Sequence, residues 1–88
     1  AERVAAVVTL LARERPAAVL CPHAHDGHAA HIGTHALVTE AFAALAAQPT
    51  DAAAPTPAPV LVETEFWLAM ETPNLLVECP DDDLADLL

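Results

Sequence analysis

The sequence predicts a small α/β fold, and three observations carry that prediction. A short apolar run without alternation lies between Pro16 and Pro22. A long stretch with helical periodicity follows it. Two further apolar runs then precede an acidic, helix-starting C-terminus. Helical and strand-like segments in this succession are the pattern of an α/β chain. With 88 residues there is room for one domain and a thin core, because much of the 55% apolar content is alanine and aromatics make up only 3%.

The first helix is predicted over Glu2 to Arg15. Val4, Val7, Val8 and Leu11 recur at the spacing of one buried stripe. Glu2 and the pair Arg13 and Arg15 sit at the dipole ends that favour their charges, and Pro16 stops the helix. Residues 17–21, Ala-Ala-Val-Leu-Cys, suit a strand covered on both faces, as in a parallel sheet. A loop spans Pro22 to Gly27. A second helix then runs from Asp26 or Gly27 to about Gln48, with Asp26 as its N-cap. His31, His35, Val38, Phe42 and Leu45 advance by alternating fours and threes, which places them on one face.

Residues 49–59 form a proline- and alanine-rich connection, expected as an exposed loop with no site of its own. Val60 to Trp67 is expected as a second strand, Leu75 to Cys79 as a third, and a last helix opens at Pro80 with Asp81, Asp82 and Asp83 in its first turn. The expected order is helix, strand, helix, strand, strand, helix. Such a sheet is too small for a whole doubly wound domain, and the first residue is Ala1, so the chain reads as a piece of a larger protein.

Charge excludes several functions. A net charge of −10, with three arginines and no lysine, cannot make the cationic surface that nucleic acid needs. It equally disfavours anionic lipid. No apolar run approaches the roughly 20 residues that span a bilayer, and Glu2 and Arg3 lead into a helix without a secretory cleavage pattern. Cys21 and Cys79 lie far apart and read as reduced, buried strand-end residues, so a cytoplasmic location is expected.

The chemistry is expected in the histidine run His23, His25, His28, His31 and His35, five imidazoles within thirteen residues. Buried imidazoles each need a hydrogen-bond partner, and a divalent metal such as zinc answers that need for several at once. On the helix, either His28 with His31 or His31 with His35 can converge on one ion. Two ligands fall short of the three protein ligands of a catalytic zinc site, so others must come from elsewhere. A single histidine on an apolar helix face is more often packed than ligating, which is the reading for His35; His23 and His25 read as solvated or supporting.

The stretch from Arg15 to His35, with Pro22-His-Ala-His-Asp-Gly-His-Ala-Ala-His31, resembles the strand–loop–helix of the PIG-L (LmbE-like) deacetylases, which carry P-H-x-x-D-x-H-x-x-H there. The block Glu63 to Glu78 resembles a later strand region of the same family. The resemblance implies a partial Rossmann-like three-layer fold, the C-terminal portion of a larger doubly wound domain. It also implies a zinc-dependent hydrolase that removes an acetyl group from an N-acetylated sugar or related amide. By motif position His31 is the metal ligand and His28 the catalytic histidine. Asp26, His35 and His23 fall around them as supporting residues, with Asp26 capping the helix or orienting a histidine.

Two departures stand out. Ala29 and Ala30 replace the Pro-Asp common between the two histidines, and the family's N-terminal A-H-P-D-D-E-like motif does not occur. The missing N-terminal half would be the partner required for turnover, and the chain alone is expected to bind metal weakly and to be inactive. Glu63, Glu65 and Trp67 would border a substrate pocket, although solvated strand carboxylates and core or lid packing of Trp67 and Met70 are the plainer readings. The alternatives are a non-catalytic metal-binding or interaction module that keeps the histidine helix, and a truncated product with no role of its own.

Overall fold

A computed structural model describes residues 1–49 and 57–88. Most of the proline-rich connection expected over 49–59 therefore lies outside the described residues. The chain is mixed helix and strand: α1 (Glu2–Glu14), β1 (Ala18–Pro22), α2 (Ala29–Ala46), β2 (Val60–Thr64) and α3 (Asp81–Leu87). Among the described residues, no helix is long and apolar enough to cross a membrane.

Helix α1 forms where the valine stripe predicts it. It ends at Arg15, whose N–H still bonds the Leu11 carbonyl while its own left-handed conformation (φ 49°) turns the chain out of the helix. A residue before proline is pushed out of the right-handed helical region, so Arg15 and Pro16 break the helix together. Strand β1 then pairs in parallel with β2, in the register Ala18–Val60 through Pro22–Thr64.

This register divides the ribbon into two unlike faces. Val19, Cys21 and Leu61 are at least half-buried, and Val19 packs on the helical core. On the opposite face Leu20 and Val60 are 67% and 62% exposed. A parallel ribbon ordinarily has both faces covered, and here one is open. The total accessible surface of 7047 Å² compares with about 4,900 Å² for a compact monomer of this mass.

The core is correspondingly thin. Val8 and Leu11 of α1 meet Ala41 of α2, with Val4, Val7, Phe42, Ala44 and Leu45 packed around them. Ala41 has no exposed surface, so its methyl group sets how closely the two helices approach. The expected face of His31, His35, Val38, Phe42 and Leu45 is half-buried along its whole length.

Three expectations are corrected. The third strand, Leu75 to Cys79, does not form: these residues take no regular structure, and Leu76 and Val77 are 85% exposed. β-propensity alone does not make a strand without an edge to pair with. Strand β2 stops at Thr64 rather than Trp67, and helix α2 begins at Ala29 with His28, not Asp26, as its N-cap. Both shifts have one cause, the position of Asp26.

Cys21 and Cys79 are both free thiols, but only Cys21 is buried. Burial pushes the Cys21 thiol up, and the neighbouring Glu63 carboxylate pushes it further. Iodoacetamide at pH 8 should alkylate Cys79 readily while Cys21 lags at least about tenfold. Peptide mass spectrometry over a time course reads this directly, and equal rates would mean that β1 is not held in place.

Candidate functional site

Because β1 and β2 run parallel, both chains leave the ribbon at the same end. The loop after Pro22 and the segment after Thr64 are thereby brought together at the carboxyl ends of the strands, where α/β proteins build their sites. A backbone bond from His23 N–H to the Thr64 carbonyl (3.2 Å) and one from the Thr64 hydroxyl to the Cys21 carbonyl (3.1 Å) lock this junction.

Asp26 sits at its centre with no exposed surface. Its Oδ1 accepts three consecutive backbone N–H groups, from Phe66 (3.0 Å), Trp67 (2.9 Å) and Leu68 (3.0 Å). Its Oδ2 lies 2.7 Å from Nδ1 of His31. Burial opposes ionisation of this carboxyl. The bonds from Leu68, Trp67 and Phe66, together with His31, overcome that opposition and hold it well below the usual carboxylate range. An ionised carboxylate only accepts, so Nδ1 of His31 carries the proton.

Gly27 makes the geometry possible. It turns the chain at φ +76°, and a Cβ there would lie 2.9 Å from the Leu68 side chain. Positive φ and close approach together favour glycine.

His23 is buried rather than solvated. Its Nδ1 accepts the His25 N–H (3.2 Å), and its Nε2 donates to the Leu68 carbonyl at 2.7 Å, with Asp26 Oδ1 3.2 Å away. Both ring nitrogens are therefore committed within the protein. His35 leaves the cluster and pairs with Glu63 on β2 (Nε2 to Oε1 2.7 Å). Glu65 accepts the Met70 N–H at 3.0 Å. His25 is exposed.

His28 and His31 remain, with ring centroids 5.2 Å apart. Their hydrogen bonds give them opposite tautomers. His28 Nδ1 accepts the Ala30 N–H (3.1 Å), which caps α2 and leaves the proton of the neutral ring on Nε2. In His31 the proton is on Nδ1 and the lone pair on Nε2. One ring thus offers a donor and the other an electron pair, which is what a hydrogen-bonding catalyst and a metal ligand respectively require. Among the described residues, no group of three or more His, Cys, Asp or Glu is arranged to hold a metal ion. His31 fits a divalent cation as one ligand of a set that these residues do not complete.

Of the two expectations for Trp67, core packing is not met, since it is 67% exposed, and it stands beside the histidines instead. Phe66, for which no role was expected, is 69% exposed next to it. Trp67 lies nearly parallel to His28 (18°, centroids 6.2 Å), and Phe66 meets His31 edge-on at 5.3 Å. The local sequence gives no sign of the ring pairs themselves, since each joins residues more than thirty apart.

Neither a scan against protein-family models nor searches of curated proteins and of solved structures return a match.

Proposed function

We propose that the chain supplies part of the site of a zinc-dependent N-deacetylase of the PIG-L type, acting on an N-acetylated sugar or related amide. His31 is the metal ligand and His28 the catalytic partner. Asp26 fixes the tautomer of His31. In this reading the parallel ribbon is the edge of a larger Rossmann-like sheet, and the missing N-terminal half covers its open face. The observation that carries the proposal is the tautomer split: a buried carboxylate holds Nδ1 of His31 at 2.7 Å and so presents Nε2 as a lone pair.

Bound zinc would polarise the amide carbonyl and lower the pKa of water. The protein's own contribution is positional. The Nε2–H of His28 stands at the N-terminal end of α2, whose dipole favours the negative charge that develops on an acyl oxygen.

Zinc titration by calorimetry tests the ligand assignment. His31→Ala should weaken binding at least about tenfold, while His28→Ala should stay within about threefold of the unaltered chain. Equal affinities for the unaltered chain and His31→Ala would overturn it. A second reading is a non-catalytic metal-binding or interaction module, since Asp26 orients His31 whether or not a reaction follows. Acetate release from N-acetylglucosamine, after adding a polypeptide that carries the acidic metal motif, separates the two; zinc binding without release selects the module.

A further inference from the structure

One buried carboxylate is shared between the candidate metal ligand and a distant turn. Oδ2 of Asp26 lies 2.7 Å from Nδ1 of His31, while Oδ1 accepts the N–H groups of Phe66, Trp67 and Leu68 at 2.9 to 3.0 Å. Asp26 has no exposed surface, so water does not compete for either oxygen. Phe66, Trp67 and Leu68 lie outside every helix and strand. Side chains that reach in from another loop, not a ladder of backbone bonds, hold them in place.

His23 is the second of those side chains, and its imidazole is 5% exposed. Its Nδ1 accepts the His25 N–H at 3.2 Å, which leaves the proton of the neutral ring on Nε2. That Nε2–H donates to the Leu68 carbonyl at 2.7 Å, with Asp26 Oδ1 at 3.2 Å. Leu68 is thus gripped twice, by its N–H on Asp26 and by its carbonyl on His23. Both ring nitrogens of His23 are committed, so its influence on His31 passes through Asp26, directly or by way of the Leu68 peptide.

We propose that Asp26 couples cation binding at His31 to the order of the Phe66–Leu68 turn, and that His23 is a positioning residue for that binding. The inference rests on His31 as the metal ligand and adds the regulation of that site. Occupancy of the free Nε2 draws electron density from the ring and makes its Nδ1–H a stronger donor to Asp26. The carboxylate is then held harder on one side, and the same group is the acceptor for all three N–H groups on the other. Such coupling is reciprocal: the factor by which occupancy stabilises the turn is the factor by which an ordered turn favours occupancy. Trp67 rides on this turn, 6.2 Å from the His28 ring and 6.4 Å from the His31 ring. Loading of His31 therefore fixes the exposed indole beside it.

Amide hydrogen exchange, followed by NMR with and without saturating zinc chloride, tests the coupling in the unaltered chain. Zinc should slow exchange at Phe66, Trp67 and Leu68 at least about fivefold more than at Val8 and Leu11 of the α1 core, which report global unfolding. His31→Ala should abolish the difference. By calorimetry, His23→Ala should weaken zinc binding at least about threefold, and His23→Gln should recover it to within about twofold. Glutamine keeps an N–H donor for the Leu68 carbonyl but is a poor zinc ligand, so recovery marks the hydrogen bond and not ligation.

Turn amides that slow no more than Val8 and Leu11, while zinc binding still depends on His31, overturn the coupling and leave the ligand assignment standing. A lowered melting temperature with unchanged zinc affinity in His23→Ala makes His23 structural and overturns its positioning role. If His23→Ala does not fold, a zinc affinity of His23→Gln reduced by more than about threefold overturns that role instead. Zinc binding indifferent to His31 overturns the ligand assignment and the coupling together.

Discussion

Replacing Asp26 by Ala should lower the melting temperature by on the order of 10 °C or more and weaken zinc binding by about ten- to a hundredfold. The first effect follows from the three N–H groups of Phe66, Trp67 and Leu68, which lose their common acceptor inside the protein. The second follows from His31, whose Nδ1 loses the partner that sets its tautomer. Asp26→Asn should be milder at neutral pH, since one oxygen still accepts, and it isolates the role of charge.

The sign of the pH dependence follows from the lowered pKa of Asp26. In the unfolded chain an aspartate titrates near about 3.9, and in the folded protein it ionises more easily. The stability this confers is fully present above the unfolded value and is lost as pH falls through that value towards the folded one. Urea midpoints measured from pH 7 to 3 should therefore fall more steeply for the unaltered chain than for Asp26→Asn, and the two should converge in acid. Parallel curves would remove Asp26 from the acid response.

The second large effect belongs to the core. Leu11→Ala should destabilise by about 2–3 kcal/mol, while Leu10→Ala, one position along the same helix, should change stability by less than about 0.5 kcal/mol. Leu11 is 7% exposed and Leu10 is 47% exposed. A domain of this length is stable by only about 4–13 kcal/mol on average, and a core centred on Val8, Leu11 and Ala41 argues for the lower end. Urea unfolding gives both values; similar losses for the two variants would mean that α1 is not docked on α2.

Elements decided by neighbouring residues form where those residues predict them. The valine stripe of α1, the unalternating run of β1 and the acidic start of α3 are each decided within a few residues, and each forms within one residue of where it is expected. Of the two roles expected of Asp26, it orients a histidine, His31, but does not cap the helix, because its other oxygen holds a segment forty residues later. An aspartate before a helix looks the same whether it caps that helix or holds another segment. Leu75 to Cys79 differs from expectation for the complementary reason, since apolar β-formers become a strand only beside an edge that accepts them.

The candidate site was legible in kind but not in connection. Helical spacing leaves His28 with His31 and His31 with His35 as equal pairs, and the resemblance alone singles out His28 and His31 and divides their roles. That His23 is committed to Leu68, that His35 turns to Glu63, and that Trp67 stands exposed beside His28 all depend on the parallel pairing that joins the two loops. Spacing along one helix carries no trace of it.

The open face of the β1–β2 ribbon has a colloidal consequence. Leu20 and Val60 lie bare on a two-stranded ribbon, whose backbone groups make a template for further strands. No described residue covers this face, and mutual repulsion at −10 opposes the approach of a second copy. That repulsion vanishes near pH 4.5, where the chain approaches neutrality. Asp26 is still ionised there, because its carboxyl is held well below the usual carboxylate range, so self-association should set in before the clamp at the site loosens.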